Sequence, residues 1–262
     1  MLSTFKLTKL IWIALVTTGS LGLLAAVERQ RANRCCRQLD IIVDEGRATH
    51  PFVSISDIRY LLTEAGTKPL VGTQLDRLNL KRLEARVKSE GLVKECQIGA
   101  DLSGSLNIAV TQHQPIARLI ERQGIRNDED GYLNAEGQIL PTSDHYTARV
   151  LLLSGPYFDR INSLTAPRYA TLMKFVKYVV NDPFWRAQIA QVQVDRDGDM
   201  TLLPQVGSHH IEFGPPDEPE AKFLKLKLFY KQILPAKGWD TYQRVSVRYR
   251  NQIVCEPKPV LK

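Results

Sequence analysis

Residues 92–117 read LVKECQIGADLSGSLNIAVTQHQPIA, and their alternation decides the fold class. Leu92, Cys96 and Ile98 fall at even spacing, Asp101–Gly104 supplies turn residues, and Leu106, Ile108 and Val110 resume the alternation. Side chains of a strand alternate between faces, so two half-buried strands joined by a tight turn are expected. Pro115 lacks an amide hydrogen and limits pairing beyond Gln114.

Working upstream, Asn79 is a good helix N-cap, followed by Leu80, Leu83 and Val87 on one face and Gly91 as the expected stop. Ser54 with Asp57 resembles a capping box. Ile58, Leu61, Leu62 and Ala65 then recur at helical spacing, and Gly66 should end that helix. Before it, Leu39, Ile41 and Val43 alternate as a strand. The order is β-α-α-β-β.

Further upstream, residues 10–27 are free of charge, the longest such apolar run in the chain. As a helix they span roughly 27 Å, close to the hydrocarbon thickness of a bilayer. Trp12 sits where an interfacial aromatic belongs. A cleaved signal peptide wants a shorter core and a small-x-small site; the long run and the poor site at Ala25-Ala26 favour an uncleaved anchor. Lys6 and Lys9 precede the segment, whereas Arg29, Arg31, Arg34 and Arg37 follow it. Charge alone therefore puts the C-terminal flank in the cytoplasm. Gly19 and Gly22 lie three apart, which is not the GxxxG spacing of a packed anchor pair.

Downstream of Pro115, Arg118–Glu121 continues as a strand, and Asp130-Gly131 and Glu136-Gly137 read as hairpin turns flanking Tyr132 and Leu133. Arg149–Leu153 is an apolar strand closed by Ser154-Gly155-Pro156. Pro167 opens a helix with Leu172, Phe175, Val176 and Val179 on one face, stopped by Asn181-Asp182-Pro183. Val192 and Val194 lead to a turn at Asp197-Gly198, and Met200 and Leu202 return. A strand with Ile211 and Phe213 is followed by a helix from Glu220 carrying Phe223, Leu226, Tyr230 and Ile233 inward, ended by Gly238. One last strand, Arg244–Cys255, places Val245, Val247, Tyr249, Ile253 and Cys255 on a single face. Strands with helices packed to one side give an α+β body.

The whole is 262 residues with 44% hydrophobic and 24% charged residues, a globular composition, and a net charge of +7. The basic residues are scattered and accompany no nucleic-acid motif, so a membrane surface or an acidic partner suits the charge better than nucleic acid. Chemistry is sparse. His50, His113, His145, His209 and His210 form no metal-binding spacing, and adjacent His209 and His210 in a strand point to opposite faces. Asp195–Asp199 imitates a calcium loop but has Met200 and Val206 where Gly and Glu are needed. Ser154 lacks the flanking glycine of a nucleophile elbow, and no P-loop or GxGxxG occurs. Cys96 and Cys255 read as small apolar strand residues, with a disulfide between them unsupported. Cys35 and Cys36, beside the membrane, suit lipidation or intermolecular bridging. A non-enzyme without metal or cofactor is expected.

A small β-α-α-β-β unit directly after an anchor resembles a POTRA domain, a module that binds other polypeptides. Leu106-Asn-Ile-Ala-Val-Thr-Gln-His-Gln-Pro-Ile-Ala117 is similar to the strand and Pro-hydrophobic-Ala junction closing that domain in the FtsQ/DivIB cell-division proteins. Gly131–Pro141 resembles that family's hairpin and Arg149–Gly155 its following strand. Lys222–Tyr230, Gly238–Tyr242 and Val247–Cys255 look like the version in a subset of the family.

The resemblance implies a cytoplasmic tail at 1–9, a transmembrane helix at 10–27, a juxtamembrane segment at 28–37, a POTRA domain at 38–115, a mixed β domain at 116–256 and a tail at 257–262. It implies a single-pass inner-membrane scaffold of the septum with its bulk in the periplasm, against the arginine count, because a large domain translocates despite nearby charge. Implied partners are the FtsB/FtsL (DivIC/FtsL) pair, the septal peptidoglycan synthase complex and an FtsK-like upstream protein, with membrane lipid around the anchor. The FtsB-like contact falls on Arg248, Tyr249, Asn251, Gln252 and Ile253, with Trp239 and Tyr242 as neighbours. Against this, Tyr249 and Ile253 equally suit a core. Ile58–Leu62 and Lys94–Ile98 are the expected upstream contact. A POTRA-type chaperone or secretion factor would need a barrel or further repeats, and a secreted hydrolase would need the leader cleaved.

Overall fold

The computed structural model describes residues 17–20, 34–44, 51–121 and 130–259. Of the expected anchor, only Thr17–Ser20 are described, and they are helical; the rest of Leu10–Val27 lies outside the described residues. Among the described residues no helix is long and apolar enough to cross a membrane. The chain divides into two compact units, one holding 53–112 with the strand before it, the other holding Phe52 and the chain from His113.

The first unit runs β1 (Gln38–Asp44), α1 (Ile55–Leu62), α2 (Leu80–Lys88), β2 (Val93–Ala100) and β3 (Ser105–Gln112). Its sheet has the order β1-β3-β2, with β1 parallel and β2 antiparallel to β3. The capping box is present in both directions: Ser54 Oγ accepts from the Asp57 amide, and the Ser54 amide donates to the Asp57 carboxylate at 2.9 Å. α1 stops at Leu62, short of Gly66, because Glu64 and Ala65 already take positive φ. Arg86 of α2 fixes this end by donating to the Leu62 carbonyl and the Glu64 carboxylate. Ile58, Leu62, Leu83, Val87, Cys96, Ile98, Leu106, Ile108 and Val110 are buried between helices and sheet.

Nine strands form the second unit's sheet: β4 (Pro115–Leu119), β5 (Gly131–Asn134), β6 (Ile139–Leu140), β7 (Leu151–Ser154), β8 (Ile189–Val194), β9 (Met200–Pro204), β10 (His210–Gly214), β11 (Tyr242–Ser246) and β12 (Val254–Pro257). Their order is β12-β11-β10-β9-β8-β7-β4-β5-β6. β7 is parallel to β4 and β8, β10 is parallel to β11, and the remaining pairs are antiparallel. Ala117, Leu153, Val192, Leu202, Phe213 and Val245 project to one face and join a core with α3 (Ala170–Asn181), α4 (Pro183–Gln188) and α5 (Pro219–Leu228). At its centre Phe223 lies 4.6 Å from Trp185, 5.1 Å from Phe213 and 5.7 Å from Phe175, ring centre to ring centre. Fully burying such a side chain contributes about 1.5–3 kcal/mol. A mixed α+β body, POTRA-like unit first, is what the sequence led us to expect.

Three expectations need correction. Pro115 does not end pairing; it opens β4, which pairs with β5 and β7. Asp182-Pro183 stops α3 but also starts α4: the Asp182 carboxylate accepts from the amides of Phe184 and Trp185, and Pro183 takes the first helical position. The stretch Arg244–Cys255 is a hairpin of β11 and β12 joined by 247–253, not one strand. Past Leu228 the helix widens into a π-helical turn, Phe229–Ile233, before α6 (Leu234–Lys237). Pro235 accounts for it, since its missing amide leaves the Lys231 carbonyl without an α-helical donor.

Candidate docking surface at the β12 edge

β12 ends the sheet, paired on one side by β11 and, among the described residues, by no strand on the other. Its free flank carries open backbone donors and acceptors, the feature through which a sheet takes up a further strand. Pro257 and a bulge between Tyr242 and Arg244 shorten the edge.

The connection 247–253 sets what stands beside that edge. Val247 is buried, and its amide donates to the Glu212 carbonyl of β10 at 3.0 Å. Lys225 of α5 reaches across to donate to the carbonyls of Val247 (2.6 Å) and Tyr249 (2.5 Å). Burial, then the neighbouring Lys222 ammonium, holds the Lys225 pKa below the ordinary lysine value, with Glu218 acting against them. Arg248 pairs with Asp199 of the β8–β9 turn at 2.5 Å. Its Cγ lies 2.9 Å from where a Cβ on Gly214 would stand, so a glycine with φ of +72° lets the arginine stem cross β10. Asn251 takes φ of +58° and turns the chain back into β12.

Five of the expected contact residues, Arg248, Tyr249, Asn251, Gln252 and Ile253, are thus brought together on one connection rather than along a strand. Tyr249 is 52% exposed, which rules out the core role weighed for it; Ile253 is half-buried and does pack on the core. Asn251 and Gln252 are exposed. Trp239 is 41% exposed, with its ring 6.1 Å from Tyr230, and Tyr242 rests on Phe229 at 5.8 Å. Val254 adds an exposed apolar side chain on the edge itself.

Sequence reading missed Lys225 and the outer face of α5, where Leu224 and Leu228 are 63% and 45% exposed. A signal for the latter existed. Leu224-Lys-Leu-Lys-Leu228 alternates every second residue, and no helix can turn all three leucines to one side.

In the first unit, Ile58 and Leu62 are fully buried, so of the expected upstream contact on that helix Arg59 and Tyr60 are exposed and Leu61 is half-buried. β2 is an edge strand whose Ile98 amide is taken by the Glu84 carboxylate of α2 at 2.8 Å. Cys96 and Cys255 carry free thiols; burial pushes Cys96 up to about 11, the range of an unreactive structural thiol. The acidic Asp195–Asp199 segment is a hairpin turn in which Asp195 accepts from the amides of Asp197 and Asp199.

The family described as FtsQ/DivIB, C-terminal related, matches residues 114–256, and a POTRA-like domain matches residues 34–111. The chain belongs to the FtsQ/DivIB family. The family's role is in cell division, and the POTRA-like unit followed by a β domain is the arrangement its members share. No match was found among curated proteins.

Proposed function

We propose that this FtsQ/DivIB protein is a bitopic, non-catalytic scaffold of the division machinery, anchored by Leu10–Val27 with its two folded units in the periplasm. Its β12 edge takes up a strand of an FtsB-like partner, through which the FtsL-like protein and the septal peptidoglycan synthase complex are recruited. An FtsK-like protein meets the POTRA-like unit. The observation that carries this reading is a terminal strand whose outer flank pairs with no strand among the described residues, accompanied by exposed Tyr249, Trp239 and Val254. Main-chain pairing supplies affinity and the flanking side chains select the partner. Arg248 and Lys225 hold the connection in place, so that little ordering remains to be done on binding.

The test is co-purification of the full chain with the FtsB-like protein. Tyr249→Glu and Arg248→Glu should abolish it with circular dichroism unchanged, and retained binding would sink the assignment. Depletion in a growing culture should give filaments with unseparated septa. A reporter fused at residue 40 should read as periplasmic; a cytoplasmic signal overturns the topology.

A further inference from the structure

A second surface of the β domain lies at the start of β4, β7 and β8, far along the sheet order from β12. There a cleft of about 920 Å³ opens between the approach to β7, the end of α3 and α4. That is near the top of the size range in which proteins bury ligands. Its lining includes the half-buried apolar side chains Ile116, Val150 and Leu152.

Charge at the cleft is one-sided. Three arginines line it, Arg118, Arg149 and Arg186, and no aspartate or glutamate does. Arg118 is neutralised by Asp130 at 2.7 Å and lies over the Tyr132 ring. Arg149 and Arg186 are exposed and make no ion pair among the described residues. At the β12 end the opposite holds: Arg244, Arg248 and Arg250 each have a carboxylate partner. Two guanidinium groups in a cleft with an apolar lining match a ligand with carboxylates beside aliphatic side chains.

We propose that this cleft docks an acidic, aliphatic-rich peptide segment of a partner protein, independently of the β12 edge. A lipid headgroup layer is flat and does not fill a concave cleft of about 920 Å³. A glycan would call for more amide and carboxylate side chains than Gln114 and Gln205 supply. Each guanidinium offers a bidentate donor pair to a carboxylate, while Ile116, Val150 and Leu152 lose their water to the intervening aliphatic groups.

The experiment uses the full chain in phosphatidylcholine nanodiscs and a fluorescein-labelled Glu-Leu-Glu-Leu-Glu-Leu peptide, read by anisotropy. Saturable binding is expected, weakening at high salt. The double variant Arg149→Glu, Arg186→Glu should lose at least tenfold in affinity while keeping its melting temperature and its co-purification with the FtsB-like protein. A Lys-Leu peptide of the same length should not bind. Absence of saturable binding overturns the proposal, as does binding that survives the double variant or is shared by the Lys-Leu peptide. Sedimentation with phosphatidylglycerol vesicles that depends on these arginines, with peptide binding indifferent to them, would also overturn it and assign the surface to lipid.

Discussion

Replacing Lys225 by methionine removes one ammonium and keeps the packed stem, which isolates what the two carbonyl contacts contribute. The two acceptors differ. Tyr249 is exposed, so its carbonyl regains water and its loss costs almost nothing. Val247 is fully buried, and its carbonyl is left without that donor. A buried unpaired acceptor costs about 1–3 kcal/mol, which is therefore the expected destabilisation of the β domain. Urea unfolding of the full chain should show a lower midpoint at unchanged slope. Hydrogen exchange should rise chiefly across 247–253, with the α3 core protected as before. Lys225→Arg should restore part of the loss. A change below about 0.5 kcal/mol, with exchange across 247–253 unaltered, would refute the idea that Lys225 holds the connection.

Other expectations rest on separate features. Trp185, 2% exposed at the centre of the aromatic cluster, should cost about 3–5 kcal/mol as alanine, read by chemical denaturation. Gly155→Ala should destabilise by more than about 2 kcal/mol, because φ is +107° and the new Cβ would lie 2.2 Å from the Val194 carbonyl oxygen; expression as well as the wild type would refute this. Ser54→Ala removes one direction of the capping box and should cost about 1 kcal/mol. His209 is fully buried, bonds Tyr230 at 3.2 Å through Nε2, and has no partner at Nδ1 among the described residues. Burial first, then His210 and Lys258, lower its pKa from the ordinary 6.5, with Asp240 opposing. The unfolded chain therefore takes up a proton that the folded chain refuses, and stability should fall as pH drops below about 6.5. His209→Gln should flatten that slope, as measured by melting temperature across the range.

Much of the architecture was legible in residue order. The hairpin of β2 and β3 announced itself through even spacing around Asp101–Gly104, and α1 and α2 through caps at Ser54 and Asn79. These signals are local, because a cap or a turn is made by residues three or four apart. Where local rules conflict, reading fails. Asp182-Pro183 satisfies both the stop of one helix and the start of the next, so residue order shows the end of α3 but not α4 with its buried Trp185. Even spacing likewise runs unbroken from Val245 through Val247 and Tyr249 to Ile253 and Cys255. Only Asn251, able to take positive φ, marked the reversal between β11 and β12.

The sequence by itself determined the family and the order of a POTRA-like unit before a β domain, through its likeness to known domains over residues 34–111 and 114–256. Spacing determined the face that strands such as β2 and β3 turn inward. Tertiary structure alone decided which strand lies at the edge of the sheet and what stands next to it. β11 lies beside β10, yet a helix of this chain, a π-turn and α6 separate them in sequence, and β12 reaches the edge only by folding back. Lys225 meets the carbonyls of Val247 and Tyr249 across more than twenty residues, and Arg149 and Arg186 share a cleft across a still longer interval. No local pattern encodes such meetings, because a long-range contact depends on the packing of everything between the residues that make it.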